Sequence, residues 1–140
     1  MQGFITQFFT SDQQGLELLF IAYLRTKRQD LGISRQFFDK FKVGMRRHIR
    51  QKEQLLLPAL EGCQNEVELL VQTRYEHQQI LQQLTWIEAL LDKGMDSEED
   101  DQRLEYLLSD HFENDEFSLY PLCDRKISDE AMGKLLLRLY

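Results

Sequence analysis

Residues 46–61 read RRHIRQKEQLLLPALE, and residues 109–125 read SDHFENDEFSLYPLCDR. Set side by side on their histidines, both carry the pattern H-x4-E-x2-L-[LY]-P. It comprises His48, Glu53, Leu56, Leu57 and Pro58 in the first, and His111, Glu116, Leu119, Tyr120 and Pro121 in the second. Apolar residues run outward from each histidine at spacings of three and four, the period of a helix with one buried face. One stripe is Phe38, Phe41, Met45, His48, Lys52, Leu55 and Ala59; the other is Leu104, Leu108, His111, Asp115, Leu119 and Leu122. Two helices with the same polar interruption at the same offset need apolar faces to bury against, so they predict a helical bundle.

Further stripes complete it. Ser11–Asp12 offers a cap for a first helix with Gln13, Leu16, Phe20 and Leu24 inward. A loop is expected at 29–33, broken by Gly32, with Ser34 capping the second helix. Pro58 should kink or end that helix, because proline lacks a backbone donor, and Gly62 follows as a stop. A third helix is expected from Asn65, with Glu68 completing a capping box. Its stripe is Leu70, Thr73, His77, Ile80, Leu84, Ile87 and Leu91, and Gly94 closes it. Ser97 and the acidic residues after it open the fourth helix, where carboxylates suit the positive end of the dipole. Ser128 caps a short last helix expected to lay Leu135, Leu136 and Leu139 over one end. The short loops make neighbours antiparallel. The expectation is an all-α, up-down-up-down four-helix bundle with a short C-terminal helix, one domain over 1–140.

Composition agrees with this and excludes several function classes. Apolar residues are 42% and charged residues 29%, the balance of a chain that buries a core. The net charge is −7 with the basic residues dispersed, so no concentrated basic face exists for nucleic acid. The longest apolar run, 18–24, is far too short to cross a bilayer. Residues 1–9 lack the basic start and small-residue cleavage site of an export signal, so a cytoplasmic location is expected. Cys63 and Cys123 make no disulfide framework. Both should fall at one end of the bundle, either as reduced small residues or as a redox-sensitive pair.

The polar residues in the stripes carry the chemistry. They are Gln13, His48, Lys52, His77, His111 and Asp115, all at similar depth, and they include every histidine of the chain. Buried imidazoles and carboxylates must find partners or cost several kcal/mol. A single inward histidine is ordinarily a hydrogen-bonded core residue. Three on three helices, with His111 and Asp115 in an i, i+4 pair, point instead to one shared site that a cation would satisfy.

The segments FFTSDQQGLELLF (8–20), RRHIRQKEQLLLPALE, RYEHQQI (74–80) and LLSDHFENDEFSLYPLCDR (107–125) resemble the hemerythrin-type (HHE) cation-binding domains, four-helix bundles that hold non-haem iron. The resemblance implies that His48, His77 and His111 are metal ligands and that Asp115 is a bridging carboxylate. Glu116 stays a candidate ligand, because some such proteins place the carboxylate five residues after the histidine. Glu53 and Gln13 are weaker candidates. Two positions depart from the family pattern. Gln13 stands where the first helix usually has histidine, and Lys52 where the second usually has glutamate.

Lys52 bears most on what is bound. An ammonium ~4 Å from a divalent ion is repelled by about 8 kcal/mol at an effective dielectric of 20. A mononuclear site is therefore expected rather than a di-iron one. Iron, zinc or manganese suits the ligand types, and so does no metal at all. The first reading is a non-enzymatic metal-binding protein for oxygen or nitric oxide, redox sensing or iron handling, with a small diatomic ligand. The alternative is a metal-free bundle acting as an interaction or regulatory module around a buried Lys52–Asp115 ion pair. Its contact surfaces would be the acidic stretch 96–101 or the exposed part of the second helix. Phe8–Phe9 and 135–140 leave room for a homodimer contact. No nucleophile-and-base arrangement and no glycine-rich phosphate loop is present.

Overall fold

A computed structural model describes residues 3–62 and 64–138 of the chain, and among these the regular structure is entirely helical. Helix α1 is Phe4–Thr26. Helix α2 covers 31–60: an α-helical stretch Leu31–Gln51, a π-helical turn Lys52–Leu56 and a last α-helical turn Leu57–Leu60. A 3₁₀ turn, Gln64–Glu66, leads into α3, Val67–Asp92. Helix α4 covers 98–126 and repeats the plan of α2, with Glu98–Asn114, a π turn Asp115–Leu119 and Tyr120–Lys126. Helix α5 is Asp129–Leu137.

Cross-links between helices establish the antiparallel order. Lys27 at the end of α1 pairs with Asp96 and Asp101 at the start of α4, while Asp124 near the end of α4 accepts from the amides of Ile5 and Thr6. Lys42 pairs with Glu88 and Arg74 with Glu61, so α2 and α3 run oppositely. Gln83 and Glu76 of α3 bond to Asp100 and His111 of α4 in the same reversed sense.

The π turns explain what the prolines do. Leu57 N–H bonds to Lys52 O, and Tyr120 N–H to Asp115 O, each across five residues instead of four. The widened turn sits directly before each proline, where the ring would otherwise meet the carbonyl four residues back. One extra residue per turn rotates the following chain by about 100°. This moves Ala59 off the buried stripe and leaves it exposed, while Leu57 and Leu60 turn inward in its place.

Three helix starts differ from expectation, two of them because a better cap lies elsewhere. Helix α1 begins two turns early, at Phe4, because the Asp124 carboxylate satisfies its first amides from across the bundle, at 2.9 and 3.3 Å. Only glycine fits at position 3, since a Cβ there would strike that carboxylate. Helix α2 is capped by Asp30, which accepts from Ile33 N–H at 3.0 Å. Gly32 therefore lies inside the first turn, and Ser34 is buried, its hydroxyl donating to Tyr23 O. Helix α3 has Glu66 at its N-cap with no side-chain cap bond, so the Asn65–Glu68 box does not form. Ser97 and Ser128 cap α4 and α5 as expected, and Gly62 and Gly94 take the positive φ values of 86° and 70° that stop their helices. Cys63 and Leu139 lie outside the described residues; Cys123 is buried, and burial pushes its thiol up to about 12.

The apolar core falls into two clusters. One is built on Phe9, Leu55, Leu56, Leu57, Leu60, Leu119 and Tyr120, with Met132 and Leu136 of α5 closing that end. The other is built on Leu16, Phe20, Phe38, Phe41, Met45, Ile80, Leu84, Leu104 and Phe112. Leu24, Leu91 and Leu135 are only partly buried, at the margins. Phe9 belongs wholly to the first cluster and is unavailable as a surface contact. Every one of the four long helices crosses between the clusters through a polar residue: Gln13, Lys52, His77 and Asp115. No helix among the described residues is long and apolar enough to cross a membrane.

Candidate metal centre

The layer between the two clusters holds all six polar residues expected there. Gln13, His48, Lys52, His77 and His111 have no exposed surface, and Asp115 has 1%.

Each imidazole is fixed by a carboxylate on its Nδ1. His48 Nδ1 is 2.7 Å from Asp12 Oδ2, His77 Nδ1 is 2.7 Å from Glu53 Oε2, and His111 Nδ1 is 2.6 Å from Glu76 Oε1. A carboxylate on Nδ1 makes that nitrogen the donor and leaves Nε2 as an unprotonated acceptor. This is the outer-shell arrangement that orients histidines toward metals. Nε2 of His48 and of His77 has no partner, although both are buried. His111 Nε2 lies 2.8 Å from Lys52 Nζ and 3.1 Å from Asp115 Oδ2, and Lys52 donates to Asp115 Oδ2 at 2.6 Å. An ammonium has only donors, so Nε2 must accept from it, which agrees with Nδ1–H donating to Glu76.

The electrostatics follow from burial and from one lysine. Burial, reinforced by the Lys52 charge, pushes His48 down to about 4 and His77 to about 2, so both are neutral near pH 7. Burial works to raise Asp115, but the adjacent Lys52 ammonium outweighs it and holds the carboxyl well below its usual range. Burial lowers Lys52 itself against the pull of Asp115. Glu76 is raised by burial but lowered more by hydrogen bonds from His111, Gln72 and Asn114, and it stays ionised.

These shifts set a pH window for the metal-free protein. A histidine held neutral in the fold but free to protonate near 6.5 when unfolded favours unfolding as acid is added. Stability is therefore complete above about pH 6.5 and falls steadily toward pH 4, by on the order of 3 kcal/mol for His48 alone. Asp115 adds a further loss below about pH 4, because its stabilising charge is removed there. Chemical denaturation in chelator at pH 7.5, 6, 5 and 4.5 measures this. A flat profile from 7.5 to 4.5 would mean the histidines are not buried neutral.

Among the described residues, His77, His111 and Asp115 form a group whose ligand atoms all lie within 4.8 Å of one another. Ligands at about 2.1 Å from one ion stand roughly 3.0–4.2 Å apart, so the three atoms would have to draw together to hold one. His48 points its free Nε2 into the same layer from α2 but stands outside that group. Glu53 is bonded to His77, and Glu116 accepts from Gln13 Nε2 at 3.1 Å; both are exposed on the flank. Gln13 Oε1 accepts from the Tyr120 hydroxyl, so both ends of its amide have a partner. Phe9 and Phe112 pack their rings against His48, each with a centroid separation of 5.9 Å, and exclude water from that side.

Sequence reasoning missed the partners more than the centre. Glu76 was overlooked, although it lies three residues after Thr73 and four before Ile80, on the buried stripe of α3. Asp12 also bonds to the His48 ring, and Tyr120 also donates to Gln13, roles that neither a capping position nor the repeat predicts. The acidic stretch 96–101 is also not simply an open surface. Asp101 is buried, accepts from Tyr23 at 2.9 Å and pairs with Lys27.

The family model described as the hemerythrin HHE cation binding domain matches residues 9–123. No curated protein and no solved structure matches the chain.

Proposed function

We infer the function of this chain from its family: it belongs to the hemerythrin HHE cation-binding domains, and on that premise we read its polar layer as the seat of one metal ion. The observation that carries this reading is the pair of buried, partnerless Nε2 atoms of His48 and His77. Their Nδ1 atoms are already satisfied, so each presents a free lone pair to the interior.

His77, His111 and Asp115 would hold the ion, and His48 offers a further buried imidazole with a free Nε2. Two imidazoles and a carboxylate suit iron(II), zinc or manganese, and the family favours iron. The residues do not fit a two-ion centre, because Lys52 and Gln13 replace a carboxylate and a histidine that such a centre uses. An ion with an open position supplies affinity for a diatomic such as oxygen or nitric oxide, or a redox-sensitive charge. This supports a role in gas or redox sensing or in iron handling, in the cytoplasm and without a catalytic step. The chain's own residues do the rest: Asp12, Glu53 and Glu76 hold the ring tautomers, and Phe9 and Phe112 keep the layer dry.

A second reading rests on a different observation, the Lys52–Asp115 pair at 2.6 Å. In it the layer is a metal-free polar core, and the bundle regulates a protein partner or a second copy through its surface. Elemental analysis and an absorption spectrum of protein purified without chelator decide between them. Near-stoichiometric iron, close to one per chain, supports the first reading. Absence of metal, with a melting temperature indifferent to chelator and to added iron, sinks it in favour of the second.

A further inference from the structure

Lys52 does not merely lie near the proposed ion seat; it occupies part of it. Its Nζ is 2.8 Å from His111 Nε2 and 2.6 Å from Asp115 Oδ2, two of the three groups that would hold the ion. Those two acceptors stand 3.1 Å apart. Two lone-pair-bearing atoms at that separation repel unless positive charge lies between them, and the ammonium supplies it. An ion bound to the same atoms would take the same space.

We propose that Lys52 is the resident cation of the metal-free chain, and that metal enters only by exchanging places with its ammonium. This rests on the single-ion reading above. Lys52 has the means to leave. It opens the π turn of α2, where the backbone is already wider than a standard helix, and its stem has four rotatable bonds. The exchange also has a driving force. The ammonium satisfies only one of the three histidines, whereas an ion in the layer can accept lone pairs from His77 as well as His111. The metal-free fold is thereby charge-balanced without an ion, and the ion is held more weakly than the same ligands would hold it alone.

The test titrates cobalt(II) into the wild-type chain, Lys52→Met and Lys52→Gln, following visible absorption, with melting curves in chelator and in cobalt. Methionine removes the charge and keeps the volume. Glutamine keeps a neutral donor for Asp115, which guards against a variant that fails to fold. The expected result is cobalt affinity about a hundredfold higher in both variants, the gain from no longer displacing a buried ion pair. Cobalt should raise the melting temperature of the variants well beyond its rise in the wild-type chain, and chelator should reverse both. Adding His77→Ala to Lys52→Gln should abolish the cobalt band; a retained band places the ion elsewhere and overturns the proposal. Equal affinity in all three chains overturns the exchange and leaves the single-ion reading standing. No uptake by any of them removes the single-ion reading itself, and the exchange with it.

Discussion

Asp115→Asn lowers the unfolding free energy of the metal-free protein by about 3–5 kcal/mol, the cost of stranding a buried charge. The side chain keeps its shape and loses only its charge. Lys52 Nζ is then left without a counter-ion in a layer with no exposed surface, its nearest acceptors being His111 Nε2 at 2.8 Å and a neutral amide oxygen. A domain of this size is stable by roughly 5–15 kcal/mol, so the loss is a large share of the total. It appears as a fall in melting temperature of roughly 10–20 °C. The same variant removes the one carboxylate of the ligand group, so cobalt uptake should vanish. Combining Asp115→Asn with Lys52→Met separates the two effects. The double variant should regain most of the stability, because neither charge remains, but no metal binding. If Asp115→Asn alone costs under about 1 kcal/mol, the pair is not the electrostatic centre of the layer.

Lys52→Glu with Gln13→His should carry the chain from at most one metal ion to two. Lys52 and Gln13 mark the two departures from the family's ligand pattern, and both face the layer fully buried. The lysine change removes the resident cation and sets a second carboxylate opposite Asp115. The glutamine change adds a fourth imidazole on α1, in a place where Glu116 and Tyr120 already hold a side chain of similar size. Two like charges in a dry layer repel strongly without metal, by about 4 kcal/mol at 4 Å and an effective dielectric of 20. The double variant should therefore be markedly less stable in chelator than in iron. Iron per chain by elemental analysis, with the absorption of a bridged pair, reads the outcome. A double variant that still takes one ion or none would show that positions 13 and 52 do not correspond to the family's missing ligands.

Much of this layer was legible without coordinates because helical periodicity is a one-dimensional signal. The stripes of α2 and α4 place His48, Lys52, His111 and Asp115 inward by spacing alone; the shared pattern sets a proline at the same offset in both helices, where a kink or an end is expected and the structure instead has a π turn. What spacing could not show was which carboxylate serves which histidine. Glu53, Asp12 and Glu76 each bond to a ring carried by another helix, and the pairing depends on how the helices rotate against one another. The start of α1 escaped for a related reason. Its cap is Asp124, more than a hundred residues away, and no local signature at residue 3 betrays it.

The amino-acid order by itself determined that this chain forms four long helices with one polar level, because the turn of a helix converts linear spacing into a face. Only the tertiary structure decided that Lys52 sits between His111 and Asp115 while His48 and His77 keep free lone pairs. The choice among competing partners for a buried charge is made by distance and desolvation in three dimensions, to which the linear code has no direct access.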